Sequence, residues 1–355
     1  AVAVIDPRNG DVLALASVPS FNPNVFIPEV HIEDWNRYDK DPTSPMFSRA
    51  INPYSPGSTG KIPVALAGCL SGSCNKRFPC GGGAQYGSKF MKCWSSGHGT
   101  LDLSSAIKVS CNGFFYRYAN DAGIRDIQTM TKLLGLGRPT GIEVTGENPG
   151  NIPSPEWLRM QGLLWSDAFT ALVSIGQGAT EVSPLQMASV TATVANGGKV
   201  WQPRLVRKIV DKDGTAVKED EPVLRADLTR EGLKPEHVEL VKRGMWRVVN
   251  EGGGTAGRAK SDLTVVSGKT GTAQTANPRQ PTNAWFISFA PYDNPELAIC
   301  VFVENGNSGG GAASPIAKNI IDNVMAMQRG AEIQLTALPE AIGRTDRVMS
   351  VAFDG

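Results

Sequence analysis

The chain opens Ala1-Val2-Ala3-Val4-Ile5-Asp6-Pro7-Arg8-Asn9-Gly10-Asp11-Val12-Leu13-Ala14-Leu15-Ala16-Ser17-Val18. Two short apolar runs flank Pro7-Arg8-Asn9-Gly10, and Asn-Gly supplies a positive φ at little steric cost, so the stretch reads as a β-hairpin. Three more strand-like runs lie near the other end, at 264–275, 283–290 and 296–304, the last two joined across Asp293 and Asn294. Links this short imply antiparallel pairing. A closing helix should follow, with Ser314 as N-cap, Pro315 at the first helical position, and Ile316, Ile320, Ile321 and Val324 on one face. The two ends of the chain are therefore expected to form one sheet.

Working inward, residues 58–70, 101–120, 183–194 and 235–250 carry helical patterning or start signals, Ser183-Pro184 being a clean start. Residues 21–55, rich in Pro, Asn and Asp, and 74–98 show no sustained period, and loops of such length are usually functional or internally clamped. The triple glycines beginning at Gly81, Gly252 and Gly309 lack the P-loop pattern and read as flexible loop. Composition agrees with a folded chain: 355 residues, 41% apolar and 19% charged, exclude disorder as the main state. Lys plus Arg number 35 against 34 Asp plus Glu, so nothing global favours nucleic acid. No run of 18 apolar residues appears. The start without Met, directly in a strand, is read as a chain whose upstream anchor or domain has been left out.

Three histidines, His31, His98 and His237, and no G-x-S-x-G elbow make a Ser-His-Asp hydrolase a poor fit. A lysine-activated serine needs Ser and Lys three apart at a helix start, where both side chains share a face. Ser58/Lys61, Ser73/Lys76 and Ser105/Lys108 meet the spacing. Ser58 is favoured by context: Pro56 and Gly57 stop the preceding chain, and the helical run 62–70 follows, so free N–H groups would face its oxygen. The bland reading of Ser58 is a plain N-cap. Ser110-Cys111-Asn112, just before Phe114, Phe115 and Tyr116, adds a hydroxyl and an amide. Lys269-Thr270-Gly271-Thr272 falls in a strand-like run, and K-T-G occurs once. In this order S-x-x-K, S-x-N and K-T-G are the set found in penicillin-binding proteins and serine β-lactamases.

The chain thus resembles the transpeptidase domain of class B penicillin-binding proteins of the elongation type, over residues 1–330. The likeness also rests on Ile5-Asp6-Pro7, on Gly10 to Ala14, on Ser55-Pro56-Gly57-Ser58-Thr59, on Gly97-His98-Gly99, on Gly176-Gln177-Gly178 with Pro184-Leu185-Gln186, and on Lys269 through Gln274. Two departures are Gly60, where relatives often carry a bulkier residue, and Pro63, one place later than usual; neither removes a reacting group. The resemblance implies an α/β chain of the α+β type: a five-stranded antiparallel sheet flanked by helices, beside an all-helical subdomain, with the active site between them. It implies peptidoglycan cross-linking through a serine acyl-enzyme that β-lactams mimic. Ser58 is then the nucleophile, Lys61 its base, Ser110 a proton relay, Asn112 the group orienting Lys61 and substrate, and Lys269 a source of positive charge. Thr270, Gly271 and Thr272 would bind the donor, and the Ser58 and Thr272 N–H groups would form the oxyanion hole. A serine β-lactamase, or a catalytically silent β-lactam sensor or scaffold, are the competing functions.

Implied partners are stem peptides ending in D-alanyl-D-alanine, an amine acceptor, β-lactams and a membrane glycosyltransferase, with no nucleic acid. The implied location is the periplasmic face of the inner membrane. In that oxidising setting, disulfides are the default for Cys69, Cys74, Cys80, Cys93, Cys111 and Cys300. A second grouping, Cys80, Cys93, His98 and Cys111, brackets the irregular loop at intervals of 13, 5 and 13 residues and offers a closed tetrahedral zinc set. If Ser110 and Asn112 face the cleft, Cys111 between them points away, where a metal would pin the active-site turn to the loop. Some elongation-type relatives hold zinc at matching positions. Structural zinc, a Cys80–Cys93 disulfide and unpaired thiols all remain open at this stage. Cys69 and Cys300 lie on apolar runs and read as buried core. Residues 331–355 show no period and read as a tail.

Overall fold

The computed structural model describes residues 1–331 apart from 276 and 278, so the expected tail lies almost wholly outside the described residues. The hairpin forms as expected, from β1 (Val2–Ile5) and β2 (Val12–Ala16). It joins β3 (Ser267–Ala273), β4 (Asn283–Ala290) and β5 (Leu297–Val303) in one antiparallel sheet of order β3-β4-β5-β1-β2. Val2 faces Val301 on one side and Ala16 on the other, while Lys269 faces Ile287 and Gly271 faces Trp285. Strands β4 and β5 are apolar without alternation because almost every residue in them is buried on whichever face it points to. Trp285, Phe286, Phe289 and Phe302 form the middle of this core.

Six helices matter most for the site: α1 (Lys61–Leu70), α2 (Leu103–Lys108), α3 (Asn112–Ala122), α4 (Pro184–Ala195), α5 (Pro235–Asn250) and α6 (Ser314–Gln328). Helix α4 packs on β5 and β1, α5 on β3 and α2, and α6 on β4 and β5. Ser183 and Gln186 close a capping box on α4, and the Gln186 amide also donates to the carbonyls of Arg138 and Pro149. Helix α1 is buried from Lys61 to Cys69 and runs through the helical layer against α3, α5 and the helix Ile124–Leu133. A helix apolar all round belongs in an interior.

Four expectations change. The helix expected over 101–120 is two helices, α2 and α3, separated at Val109–Cys111 because Ser110 adopts φ +52°. The irregular 74–98 stretch contains strands: Phe78–Cys80 pairs with Gly99–Leu101, and Gly83–Tyr86 with Lys89–Lys92. Residues 21–55 hold a short helix, Ile32–Asp39, clamped by Phe21, Phe26, Trp35 and Tyr38. Ser314 does not cap its helix. The chain is already helical at Gly309–Ala313, Ser308 accepts from the Gly311 N–H, and Ser314 Oγ donates to Gly310 O at 2.9 Å. Gly309 makes this early start possible, since a Cβ there would lie 2.5 Å from Gly271 O.

Gly68 in α1 faces the Tyr118 ring, which a Cβ would meet at 2.2 Å, while Tyr118 Oη donates to Ala65 O at 3.0 Å. Gly68→Ala gains about 1 kcal/mol of helix propensity but overpacks the core, an effect of about 1–3 kcal/mol. The 2.2 Å approach puts the clash at the upper end of that range, so denaturant unfolding of Gly68→Ala should show a net loss of about 2 kcal/mol; an unchanged or higher midpoint would show that the ring yields freely.

Candidate active site

Ser58 lies in a 3-10 turn, Gly57–Gly60, that leads into α1, so it is not the helix N-cap. It is half-buried, and its hydroxyl makes no hydrogen bond among the described residues. Glycines set the position of this turn. Gly57 has φ +53°, and a Cβ on it would lie 2.4 Å from Thr272 O; one on Gly271 would lie 2.7 Å from Pro56 O, and one on Gly176 2.2 Å from Gly57 O. The turn is thereby wedged between β3 and the Gly176-Gln177-Gly178 turn, to which Gly57 N and Ser55 Oγ both donate through Gly176 O, at 3.2 and 2.6 Å. Backbone approaching backbone this closely leaves no room for side chains.

One turn on, Lys61 is fully buried and its Nζ donates to Ser110 O (2.8 Å), Ser110 Oγ (3.2 Å) and Asn112 Oδ1 (2.6 Å). It also sits 5.6 Å above the Phe115 ring. From the sheet, the fully buried Lys269 donates to the same Ser110 Oγ at 2.8 Å and to Thr270 O at 2.8 Å. Burial pushes the Lys61 amine down to about 7, against a smaller upward pull from the Cys111 and Cys93 thiols. Burial, and then the charge on Lys61, hold Lys269 well below the ordinary lysine range. Ser110, at the left-handed φ that ends α2, hangs its hydroxyl between the two amines. Non-glycine residues in this region carry about 1–3 kcal/mol of strain and cluster at functional sites.

Thr270 and Thr272 share a face of β3, and Thr272 is its one solvent-exposed residue. The Thr270 hydroxyl is 2.7 Å from that of Thr255, on the loop after α5, a neighbour with no signal in the sequence. The structure thus brings Ser58, Lys61, Ser110, Asn112 and Lys269 into one cleft with the Thr270–Thr272 strand edge. The other two spacing matches sit elsewhere: Ser73 and Lys76 both bind Asp121, while Ser105 Oγ accepts from Arg247 and Lys108 pairs with Glu251.

Cys80, Cys93, His98 and Cys111 converge, their ligand atoms all within 4.8 Å of one another. His98 Nδ1 is 3.8 Å from both Cys80 Sγ and Cys93 Sγ. None of these thiols is paired, so the Cys80–Cys93 disulfide does not form. Hydrogen bonding from Cys111, ahead of backbone donors, pulls the Cys93 thiol down to about 4 and so favours a thiolate. The disulfide present is Cys69–Cys74, at the end of α1. Cys69 is therefore cross-linked as well as buried. The sequence hides this because the chain turns back at Gly72, φ +88°, just after a run that reads as uninterrupted apolar helix. Trp94 also escaped notice; it lies inside the metal-type loop and donates to Val109 O and Ser110 O at 3.2 and 3.1 Å.

A five-stranded antiparallel sheet packed with helices, with S-x-x-K, S-x-N and K-T-G meeting in its cleft, defines the penicillin-binding protein and serine β-lactamase class. The profile of the penicillin binding protein transpeptidase domain matches residues 1–322, and the chain belongs to that family. It is 35% identical over 344 residues to peptidoglycan D,D-transpeptidase MrdA of Haemophilus influenzae, covering 91% of this chain and 52% of that one. Among solved structures it is similar to Pseudomonas aeruginosa PBP2 in complex with WCK 5153, with TM-score 0.82, 32% identity, and 94% and 75% of the two chains covered. It is also similar to the penicillin G acyl-enzyme complex of penicillin-binding protein A from Mycobacterium tuberculosis, with TM-score 0.77, 27% identity, and 92% and 74% covered. The chain spans about half the length of the curated MrdA relative.

The cysteine geometry gives a direct check. Unreduced protein, denatured with a chelator present, should titrate four thiols, Cys80, Cys93, Cys111 and Cys300, and its peptide map should link Cys69 to Cys74. A linked Cys80–Cys93 peptide would contradict the arrangement.

Proposed function

We propose that this chain is the catalytic domain of a peptidoglycan D,D-transpeptidase that cross-links stem peptides through an acyl-enzyme on Ser58 and is covalently inhibited by β-lactams. The observation carrying it is the convergence of two fully buried lysines on Ser110 Oγ, one turn from a serine held against the K-T-G strand. Ser58 Oγ attacks the carbonyl of the penultimate D-alanine, and Lys61, in its neutral form, takes the hydroxyl proton. The C–N bond breaks, and the departing D-alanine amine receives a proton through Ser110 Oγ, which is within hydrogen-bond reach of both lysines. An amine from a neighbouring stem then attacks the ester, its proton leaves by the same relay, and Ser58 is regenerated. Asn112 holds Lys61 and contacts the substrate amide. Thr270 and Thr272 receive the donor's terminal carboxylate beside Gly271. The N–H groups of Ser58 and Thr272 form the oxyanion hole, worth about 3–4 kcal/mol per donor in acyl transfer.

The setting follows from the chemistry. Stem peptides hang on glycan strands, so the domain works at the periplasmic face of the inner membrane beside the membrane glycosyltransferase that makes those strands. Among the described residues no helix is long and apolar enough to cross a membrane.

Ser58→Ala should abolish covalent labelling by a fluorescent penicillin, read by intact mass. In the unmodified chain, acylation should rise with pH, about tenfold per unit, and level off near 7, because the working form of Lys61 is the deprotonated one. A labelled Ser58→Ala, or a rate flat across that range, would refute the assignment. A long-lived acyl-enzyme supports the transpeptidase, whereas rapid nitrocefin turnover would favour a serine β-lactamase.

We further infer that Cys80, Cys93, Cys111 and His98 Nδ1 hold a structural zinc. Three sulfurs and one imidazole nitrogen within 4.8 Å of each other fit a closed tetrahedral site, and no open position remains for catalysis. Its contribution would be to tie the 78–101 loop to the Ser110 turn. Purified protein should hold one zinc per chain, and stripping it with a strong chelator should lower the thermal midpoint and make three further thiols reactive; metal-free protein with an unchanged midpoint would exclude it.

A further inference from the structure

Trp94 is the largest apolar side chain near the cleft that burial does not explain. It is 62% exposed. Its indole N–H points at the end of α2, donating to Val109 O at 3.2 Å and Ser110 O at 3.1 Å. Its ring leans on His98, with centroids 5.0 Å apart. Ser110 O is also the carbonyl that accepts from Lys61 Nζ at 2.8 Å. One peptide oxygen therefore takes an indole proton from the loop side and an ammonium proton from the helical layer, while Lys269 holds the Ser110 hydroxyl from the sheet.

This geometry bears on the one strained link in the site. Ser110 is at φ +52°, a conformation that an L-residue keeps where its surroundings over-determine it. Within the turn, the Ser110 N–H reaches Ile107 O at 3.1 Å and the Cys111 N–H reaches Ala106 O at 3.0 Å, which closes the end of α2. Those bonds fix the peptide planes on the helix side. The Ser110 carbonyl shares its peptide plane with the Cys111 N–H held by Ala106 O, and its oxygen accepts from Lys61 and Trp94. Neutral Lys61 has two N–H bonds for its three acceptors, so one donation is given up before it takes a proton, and the indole of Trp94 is a constant donor that joins the Ala106 bond in holding this peptide plane.

We propose that Trp94 is a positioning residue for the acylation step: through its indole N–H it locks the Ser110 peptide, and so the Ser110 hydroxyl, between Lys61 and Lys269. The inference rests on the reading of Ser110 as the proton relay. Because the ring is largely exposed and bonded to the Ser110 carbonyl, it also reports on the state of the site.

Trp94→Phe keeps an aromatic ring against His98 and removes the donor. In stopped-flow acylation with a chromogenic cephalosporin, the first-order acylation constant should fall about tenfold while the apparent dissociation constant of the initial complex stays unchanged. In protein labelled with 5-fluorotryptophan, the resonance missing from Trp94→Phe should shift when the parent enzyme is acylated. A merely structural ring would instead lower the thermal midpoint and the zinc content and move neither readout selectively. The proposal is overturned if Trp94→Phe has a wild-type acylation constant, if its loss appears in initial binding, or if the resonance does not move on acylation. Ser110→Ala separates the two levels: if it acylates normally, the relay reading itself fails, and if it is slow while Trp94→Phe is normal, only the role of Trp94 is lost.

Discussion

The site depends on one hydroxyl shared by two amines that the fold has removed from water. Burying a single unpaired ammonium is prohibitive, and burying two together is worse, so each must be hydrogen-bonded or neutral. The protein does both. Lys61 and Lys269 find carbonyls at Ser110 and Thr270, an amide at Asn112, and the Ser110 oxygen between them, while desolvation drives both amines toward their neutral forms. A lysine that is neutral near 7 is a base, and a second amine beside it with a shared hydroxyl is a route for the proton. Catalytic competence and the cost of burial thus have one origin.

Keeping the lysines dry requires three layers to meet without gaps. Helix α1 arrives buried, β3 arrives as the edge strand nearest the helical layer, and the α2–α3 junction closes the space between them. Glycines carry the closest contacts: Gly57 against Thr272, Gly271 against Pro56, Gly176 against Gly57 and Gly309 against Gly271. A methyl group at any of these would push apart the surfaces that exclude water. The strand residue left exposed beside this turn is Thr272.

Much of this was readable from the sequence because it is periodic or local. The Asn9-Gly10 hairpin, the apolar runs of β4 and β5, and the one-turn spacing of Ser58 and Lys61 all carry signals of that kind, and the sheet and cleft formed accordingly. What was hidden depends on tertiary closure. Nothing in Val109-Ser110-Cys111 announces a helix break, since the left-handed residue there is a serine, held by lysines 49 and 159 residues away along the chain. The Thr255–Thr270 contact and the indole of Trp94 on Ser110 join segments without a shared pattern. The Cys69–Cys74 link was concealed by its apolar context, whereas the convergence of Cys80, Cys93, His98 and Cys111 was visible as a donor set but not as a geometry.

The two sulfur devices divide the work along the same structural lines. The Cys69–Cys74 bond closes the far end of the helix that begins with Lys61, in a region where α1 is already surrounded by α3 and α5. The Cys80, Cys93, His98 and Cys111 cluster holds the 78–101 segment, which contains one short hairpin enclosed by a second short strand pair, and several of its side chains face solvent. A small apolar core cannot fix such a loop, whereas the zinc proposed for these four ligands would tie it to Cys111, flanked by Ser110 and Asn112. Ser110 and Asn112, on either side of Cys111, both bond to Lys61, while the Cys111 sulfur belongs to the cluster with Cys80, Cys93 and His98. Ligation at Cys111, as proposed for zinc, would therefore hold the same turn that carries the Ser110 hydroxyl between Lys61 and Lys269.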